Sequence, residues 1–559
     1  MRRSFIQILS ITLTITLLVS PGFMRPLNAD EDDYYFRLKK SWQYMQRVYE
    51  KINQHYVEEV DPYNLITAGI DGMLDELDPY TDFIEEEGQR RLKIITTGKY
   101  GGLGMEIGLR NGEIVVISPI ENTPAKKMGI RAGDIIKEIN GKSISGWSVR
   151  KVSAKMRGKI GTEVKLLIER PGIEETFEVT LERAEIVIED IGYAGYIEEG
   201  TGYVSLNGFT NKSPEELRQA LRELKYEGNL QRVILDLRDN PGGLLEAAVQ
   251  IVNLFVEKDA PVVSTKGFRE ESHEFKTRFN PMLPNIPLVV MVNGGSASAS
   301  EIVAGALQDL DRAVIMGEPT YGKGLVQKVY NLDKYKETKL KMTTAKYYIP
   351  SGRCIQKKDY GLHNEVFARD SSDTLDNEEH AYYTRNKRVV YDKGGIYPDI
   401  IVEDDSMSYF SLQLLKKNLL FDFAVQFHSN QPDWLDKNVV TDSILMAFRE
   451  FGMQNEFKFD FQGHRELKRL KQIADNNQYS PEIKNLISEL ESKLNEQAKH
   501  AFDDNRQQIK KLLHLELVEK YAGRKARYKY TLKDDQQIAR ATEVLKDMSA
   551  YNDILAIQN

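Results

Sequence analysis

The chain has 559 residues, 41% of them hydrophobic, and a formal net charge of −8. It is long enough for roughly three to four units of about 150 residues and apolar enough to bury a core in each. The acidic balance, with no basic stripe interleaved with aromatics, excludes a nucleic-acid-binding reading. Cys354 is the only cysteine, which excludes an internal disulfide.

In chain order, residues 1–29 read as a secretory signal or N-terminal anchor. Arg2 and Arg3 precede the apolar run FIQILSITLTITLLV, and Ser20-Pro21-Gly22 then breaks it. Leu27-Asn28-Ala29 is a weak cleavage site, which leaves open whether the segment is removed or attaches the chain to a membrane. Either way the expected location is extracytoplasmic, in or facing a periplasm. Residues 30–97 show helical spacing and are expected to brace the rest of the chain or form contacts in a homo-oligomer such as a dimer.

Residues 98–184 change to short alternating strands around a PAKKMGI helix and an AGDIIKEINGK hairpin. This pattern resembles a PDZ domain, a fold that adds a peptide strand to its sheet edge and captures a terminal carboxylate on backbone N–H groups. By that resemblance the loop Gly102-Leu103-Gly104-Met105 is the carboxylate cradle. A packing module that only positions a neighbouring core is the alternative.

Residues 185–405 alternate strands with helices, which predicts an α/β core. The whole chain is then a mixed α+β multidomain protein with an inserted PDZ-like module. Three of the core's turns carry chemistry. Residues 233–255, VILDLRDNPGGLLEAAVQIVNLF, read as strand, Asn-Pro-Gly-Gly turn and amphipathic helix. Glycines at such a turn let backbone approach a ligand closely, although a plain strand-to-helix turn has the same look.

Residues 289–310, VVMVNGGSASASEIVAGALQDL, again run strand, turn, helix. Ser298 falls near the helix N-terminus, where free N–H groups and the dipole favour a developing oxyanion. The Ala299 N–H is the natural first donor. Ser298 and Glu301 equally make the S-x-x-E capping box of an ordinary helix.

Residues 317–328, GEPTYGKGLVQK, place Lys323 between glycines, and no histidine lies between positions 274 and 362. A serine nucleophile needs a base within reach, and a desolvated lysine is the candidate that remains. Gly317, Gly322 and Lys323 also fit G-x4-G-K, but Gly324 stands where a phosphate-binding loop needs Ser or Thr. Gln327 shares a strand face with Lys323 and can orient its amine.

Together LDLRDNPGGLLEAA, GGSASASEIVAGALQD, GEPTYGKGLVQ, AKYYIPSGRCIQ and GGIYPDI resemble the carboxy-terminal processing peptidases, or tail-specific proteases, of serine peptidase family S41. The strings occur in that family's order over residues 35–405. The resemblance implies a serine endopeptidase with Ser298 as nucleophile, chosen over Ser296 and Ser300 by its spacing to Lys323. It also implies Lys323 as general base, Gln327 as its orienting partner, and Gly243 with Ala299 as oxyanion donors. Its substrates are proteins or peptides with accessible C-termini, and an adaptor or activator protein is a further partner to expect. A non-catalytic PDZ-type scaffold on the same fold is the competing reading.

Residues 406–559 are helical in pattern, with Glu/Lys pairs on their exposed faces. His428, His464, His500 and His514 are scattered through them and read as surface residues, so neither metal nor cofactor is expected. A helical domain for oligomerisation, partner binding or shielding the active site is predicted.

Overall fold

The structure, a computed structural model, describes residues 29–268, 271–333, 338–357, 360, 381–403, 407–431, 433–437 and 439–556. Apart from Ala29, the expected leader lies outside the described residues. Among them no helix is long and apolar enough to cross a membrane. They form two compact units, divided after Glu76.

The first unit is a helical pair, Ala29–His55 and Pro62–Asp75. Asp61 starts the second helix by accepting the Asn64 N–H at 2.9 Å, with Pro62 pre-set for the first turn. Phe36 and Trp42 of the first helix stay exposed.

The second unit is built on a six-stranded sheet in the order Ile191–Glu198, Thr201–Leu206, Arg232–Asp236, Leu288–Val292, Val314–Gly317, Ile400–Ile401. The first pair is antiparallel and the remainder parallel. Parallel strands covered on both faces need continuous apolar runs, and Leu288–Val292 is buried at every position. Helices Ser213–Glu227, Leu245–Val252 and Ala299–Asp309 contribute to the core on one face.

The other face is covered by the last two helices of the chain, Gln536–Lys546 and Met548–Ile554. Their Ile538, Val544 and Tyr551 pack on Ile234, Val289 and Met316. Just before them, Asp535 pairs with Arg238 at 2.8 Å, and Arg238 holds Asp236 at 2.6 Å. Losing one partner of such a buried pair costs about 3–5 kcal/mol. The C-terminal segment thereby braces the strand end that leads into Asn-Pro-Gly-Gly.

A second, antiparallel sheet lies beside the core: Asp82–Ile84, Lys339–Tyr348, Pro261–Lys266 and His273–Lys276, with Leu325–Asn331 also paired to Lys339–Tyr348. The pairing of Asp82–Ile84 with residues 339–341 carries the Asp78-Pro79-Tyr80-Thr81 segment to strand Lys339–Tyr348, which itself pairs with the strand that follows Lys323.

The PDZ-like module is a sheet in the order Met105–Arg110, Glu113–Pro119, Ile135–Ile139, Glu163–Glu169, Phe177–Glu182, packed with helix Val149–Met156 around Val116, Ile136, Leu166 and Val152. Lys99–Gly102 pairs with Ala184–Val187 where the chain leaves and rejoins. Helices from Tyr409–Lys416 to Arg506–Thr531 enclose a third core rich in phenylalanine. This core grips the module at its edge strand. The Arg110 guanidinium and the Lys520 ammonium lie 4.0 and 3.8 Å from the centroid of the Phe421 ring, and Arg524 pairs with Glu106.

Candidate active site

Ser298 stands where the buried strand hands over to helix Ala299–Asp309, with φ 54° and ψ −111°. A non-glycine residue held there is strained by about 1–3 kcal/mol. The same strain marks the sharp strand-to-helix turns that throw a nucleophile clear of a sheet. The flanking serines point elsewhere. Ser296 Oγ donates to Leu237 O at 2.7 Å and Ser300 Oγ to Asn240 O at 2.9 Å, both fully buried. Ser298 instead lines a cavity of about 380 Å³.

The Asn-Pro-Gly-Gly turn lies against this serine. A Cβ on Gly242 (φ 95°) would fall 2.9 Å from Ser298 Cβ and 2.8 Å from Ala299 N, so only glycine admits the approach. Gly243 (φ 154°) forms a parallel bridge with Phe209, in which Leu244 N–H donates to Phe209 O and Phe209 N–H to Gly242 O. That pattern turns the Gly243 N–H to the opposite side. Among the described residues neither the Gly243 nor the Ala299 N–H has a protein acceptor.

Glu301 is the centre of the turn, a role that sequence reading assigned only to a helix cap. Fully buried, its carboxylate accepts the N–H groups of Ser298 (2.7 Å), Gly322 (2.7 Å) and Lys323 (2.9 Å) and the Thr320 hydroxyl (2.6 Å). Burial pushes its pKa up, and these donors pull the other way. One side chain thus ties the serine backbone to the lysine backbone.

The Lys323 side chain is placed differently. Its ammonium lies 4.2 Å from the centroid of the Tyr80 ring. Among the described residues it makes no hydrogen bond to Ser298, and it is not part of the cavity wall that Ser298 and Gln327 share. Burial lowers its pKa, helped by the Lys341 charge and opposed by Asp78 and Glu301. Gln327 donates from Nε2 to Thr343 Oγ1 at 3.3 Å. Ser298 and Gln327 therefore share one cavity wall, while the Lys323 amine rests on Tyr80 outside it. Tyr80 and Thr81 lay outside the motifs read from sequence, because only the pairing of Asp82–Ile84 brings them here.

The cavity wall also includes Leu244, Leu325, Ala345, Glu246 and His273. His273 lies upstream of Ser298 along the chain and reaches the cavity through strand His273–Lys276. Its ring stacks edge-on to Phe275 at 4.5 Å.

In the PDZ-like module, Leu103 is buried and Gly104 takes φ 77°, where a Cβ would strike Thr123. The Leu103 and Gly104 carbonyls accept from Ala125 and Ile120 N–H, whereas their own N–H groups have no acceptor among the described residues. Gly102 ends one strand and Met105 opens the edge strand. Among the described residues no group of side chains has the make-up of a metal site.

Comparison with known proteins covers most of this architecture. Residues 200–366 match the model of peptidase family S41, 101–181 that of the PDZ domain, and 410–545 a PDZ-protease C-terminal helical domain. Residues 25–88 match the N-terminal domain of the activating protease CtpB. The carboxy-terminal-processing protease of Bartonella bacilliformis is 39% identical over 313 residues, 55% of this chain and 71% of that protein. The carboxy-terminal processing protease CtpB of Bacillus subtilis is 33% identical over 324 residues, 57% of this chain and 66% of the relative. The solved photosystem II D1 C-terminal processing protease shares 25% identity, with a TM-score of 0.34 over 64% of this chain and 92% of that one. The chain belongs to the carboxy-terminal processing proteases of peptidase family S41, serine endopeptidases that carry a PDZ domain.

Proposed function

We propose that this protease cleaves extracytoplasmic proteins engaged through their C-terminal tails, with Ser298 and Lys323 as a catalytic dyad. In the reaction, neutral Lys323 takes the Ser298 proton as Oγ attacks the scissile carbonyl, and the oxyanion rests on the Gly243 and Ala299 N–H groups. The Lys323 ammonium then protonates the departing amine. Water, deprotonated by the same lysine, attacks the acyl-enzyme and regenerates Ser298. Gln327 orients the amine. The Gly102–Met105 loop receives the substrate carboxylate, and the N-terminal leader directs the chain out of the cytoplasm as a homo-oligomer.

The observation that carries this reading is the strained elbow at Ser298. It opens onto a cavity next to the acceptor-free N–H groups, while the serines on either side are buried and bonded. The separation of Lys323 from Ser298 fits an enzyme whose site is completed when a tail binds the PDZ domain. The test is cleavage of an internally quenched peptide with a free apolar C-terminus. Ser298→Ala and Lys323→Ala should each abolish turnover, and cleavage surviving Ser298→Ala would sink the assignment. A wild type that binds the peptide but never cuts it would return the protein to the scaffold reading.

A further inference from the structure

The segment Asp78-Pro79-Tyr80-Thr81 touches the lysine half of the site twice. The Asp78 carboxylate folds it into a tight turn, accepting Tyr80 N–H at 2.8 Å and both the N–H and hydroxyl of Thr81 at 2.9 Å. That turn presents the Tyr80 ring to the Lys323 ammonium at 4.2 Å. The Tyr360 ring meets the Tyr80 ring edge-on at 6.0 Å. One residue on, Thr81 Oγ1 accepts the Thr343 N–H at 3.2 Å, and Thr343 Oγ1 accepts from Gln327. The same turn therefore holds Lys323 directly and Gln327 through Thr343.

We propose that the Tyr80 ring is the resting seat of the Lys323 ammonium, which makes Tyr80 a positioning residue whose release of the lysine assembles the dyad. This inference rests on the dyad reading above. A π-face attracts the charged amine and has no comparable hold on the neutral one. The seat thus retains Lys323 in the protonated form that cannot serve as a base, and competes with Ser298 for it. The other charges facing the amine are Asp78 on the same turn, Glu301 on the serine helix and Lys341 on the neighbouring strand. Removing the ring leaves these in place, so its own contribution can be isolated.

The experiment uses the full chain and an internally quenched peptide amide, whose blocked C-terminus denies the PDZ domain a carboxylate. Tyr80→Leu and Tyr80→Met, which lack a π-face, should raise basal kcat about two- to tenfold with KM little changed. They should also move the acid limb of kcat/KM to lower pH, because the protonated lysine loses its ring. Tyr80→Phe keeps the ring and should keep the wild-type limb. A lower kcat in the folded Leu or Met variant, or an unmoved limb, overturns the proposal. Should neither variant fold, the wild type still decides it: the Cε protons of Lys323, identified with Lys323→Arg, must show an upfield ring-current shift. Its absence also overturns the seat. Ser298→Ala, run alongside, separates the two questions, since cleavage persisting there refutes the dyad instead.

Discussion

Around Ser298 the chain is held by buried backbone: Gly242 against the serine, Gly243 bridged to Phe209, and Glu301 gathering its donors. Around Lys323 the backbone is equally fixed, through Glu301 and through the Tyr347 hydroxyl donating to Lys323 O at 2.5 Å. The lysine side chain beyond it rests on one aromatic face. Buried backbone admits essentially one arrangement. A cation on a ring is held by about 0.5–2 kcal/mol and can leave. The serine half is thus built as a fixed template and the lysine half as a movable part, and substitutions on the two sides should fail in different ways.

The largest effect is expected on the serine side. A Cβ on Gly243 would fall 2.2 Å from Phe209 O, so Gly243→Ala must displace the turn and its N–H. Loss of one oxyanion donor lowers kcat by about 10²–10³, and steady-state kinetics would show it in kcat with KM nearly unchanged. A Gly243→Ala enzyme within tenfold of wild type would mean that this side is softer than its packing indicates.

Glu301→Gln comes next, because it strikes both halves. An amide offers one acceptor oxygen where the carboxylate serves donors on both of its oxygens. Thermal unfolding should show a loss of about 2–4 kcal/mol together with reduced turnover. Wild-type stability in this variant would break the idea that Glu301 couples the two sides.

Lys341→Met probes the movable half alone. Lysine must be neutral to act as base, so activity falls as pH drops through its pKa. Burial and the Lys341 charge both depress that pKa. Removing the charge should let it rise, moving the acid limb of kcat/KM to higher pH at little cost in the plateau. A shift to lower pH would show that Lys323 is not the titrating base. The smallest effect is expected of His273→Gln. His273 lines the cavity but is not hydrogen-bonded to Ser298 among the described residues, and a loss below about threefold is expected for a wall residue outside the chemistry. A collapse of kcat there would move the base from lysine to histidine.

The sequence by itself determined the strand, turn and helix around Ser298, the α/β core, the PDZ-like insertion and the helical character of the C-terminal region. Each of these is written locally, in apolar periodicity, turn glycines and motif strings that neighbouring residues complete. What only the tertiary structure decided is non-local. The strained turn at Ser298 is met by Gly242 from a segment more than fifty residues earlier. The final helices contribute to the sheet's core because Ile538 and Tyr551 meet strands more than two hundred residues earlier in the chain. Glu301 completes the capping box with Ser298 that the sequence shows, but only the fold brings Thr320, Gly322 and Lys323 onto it as well. Tyr80 reached Lys323 only through the pairing of Asp82–Ile84 with residues 339–341. Such pairings depend on summed contacts between distant segments, and no short window of sequence encodes that sum.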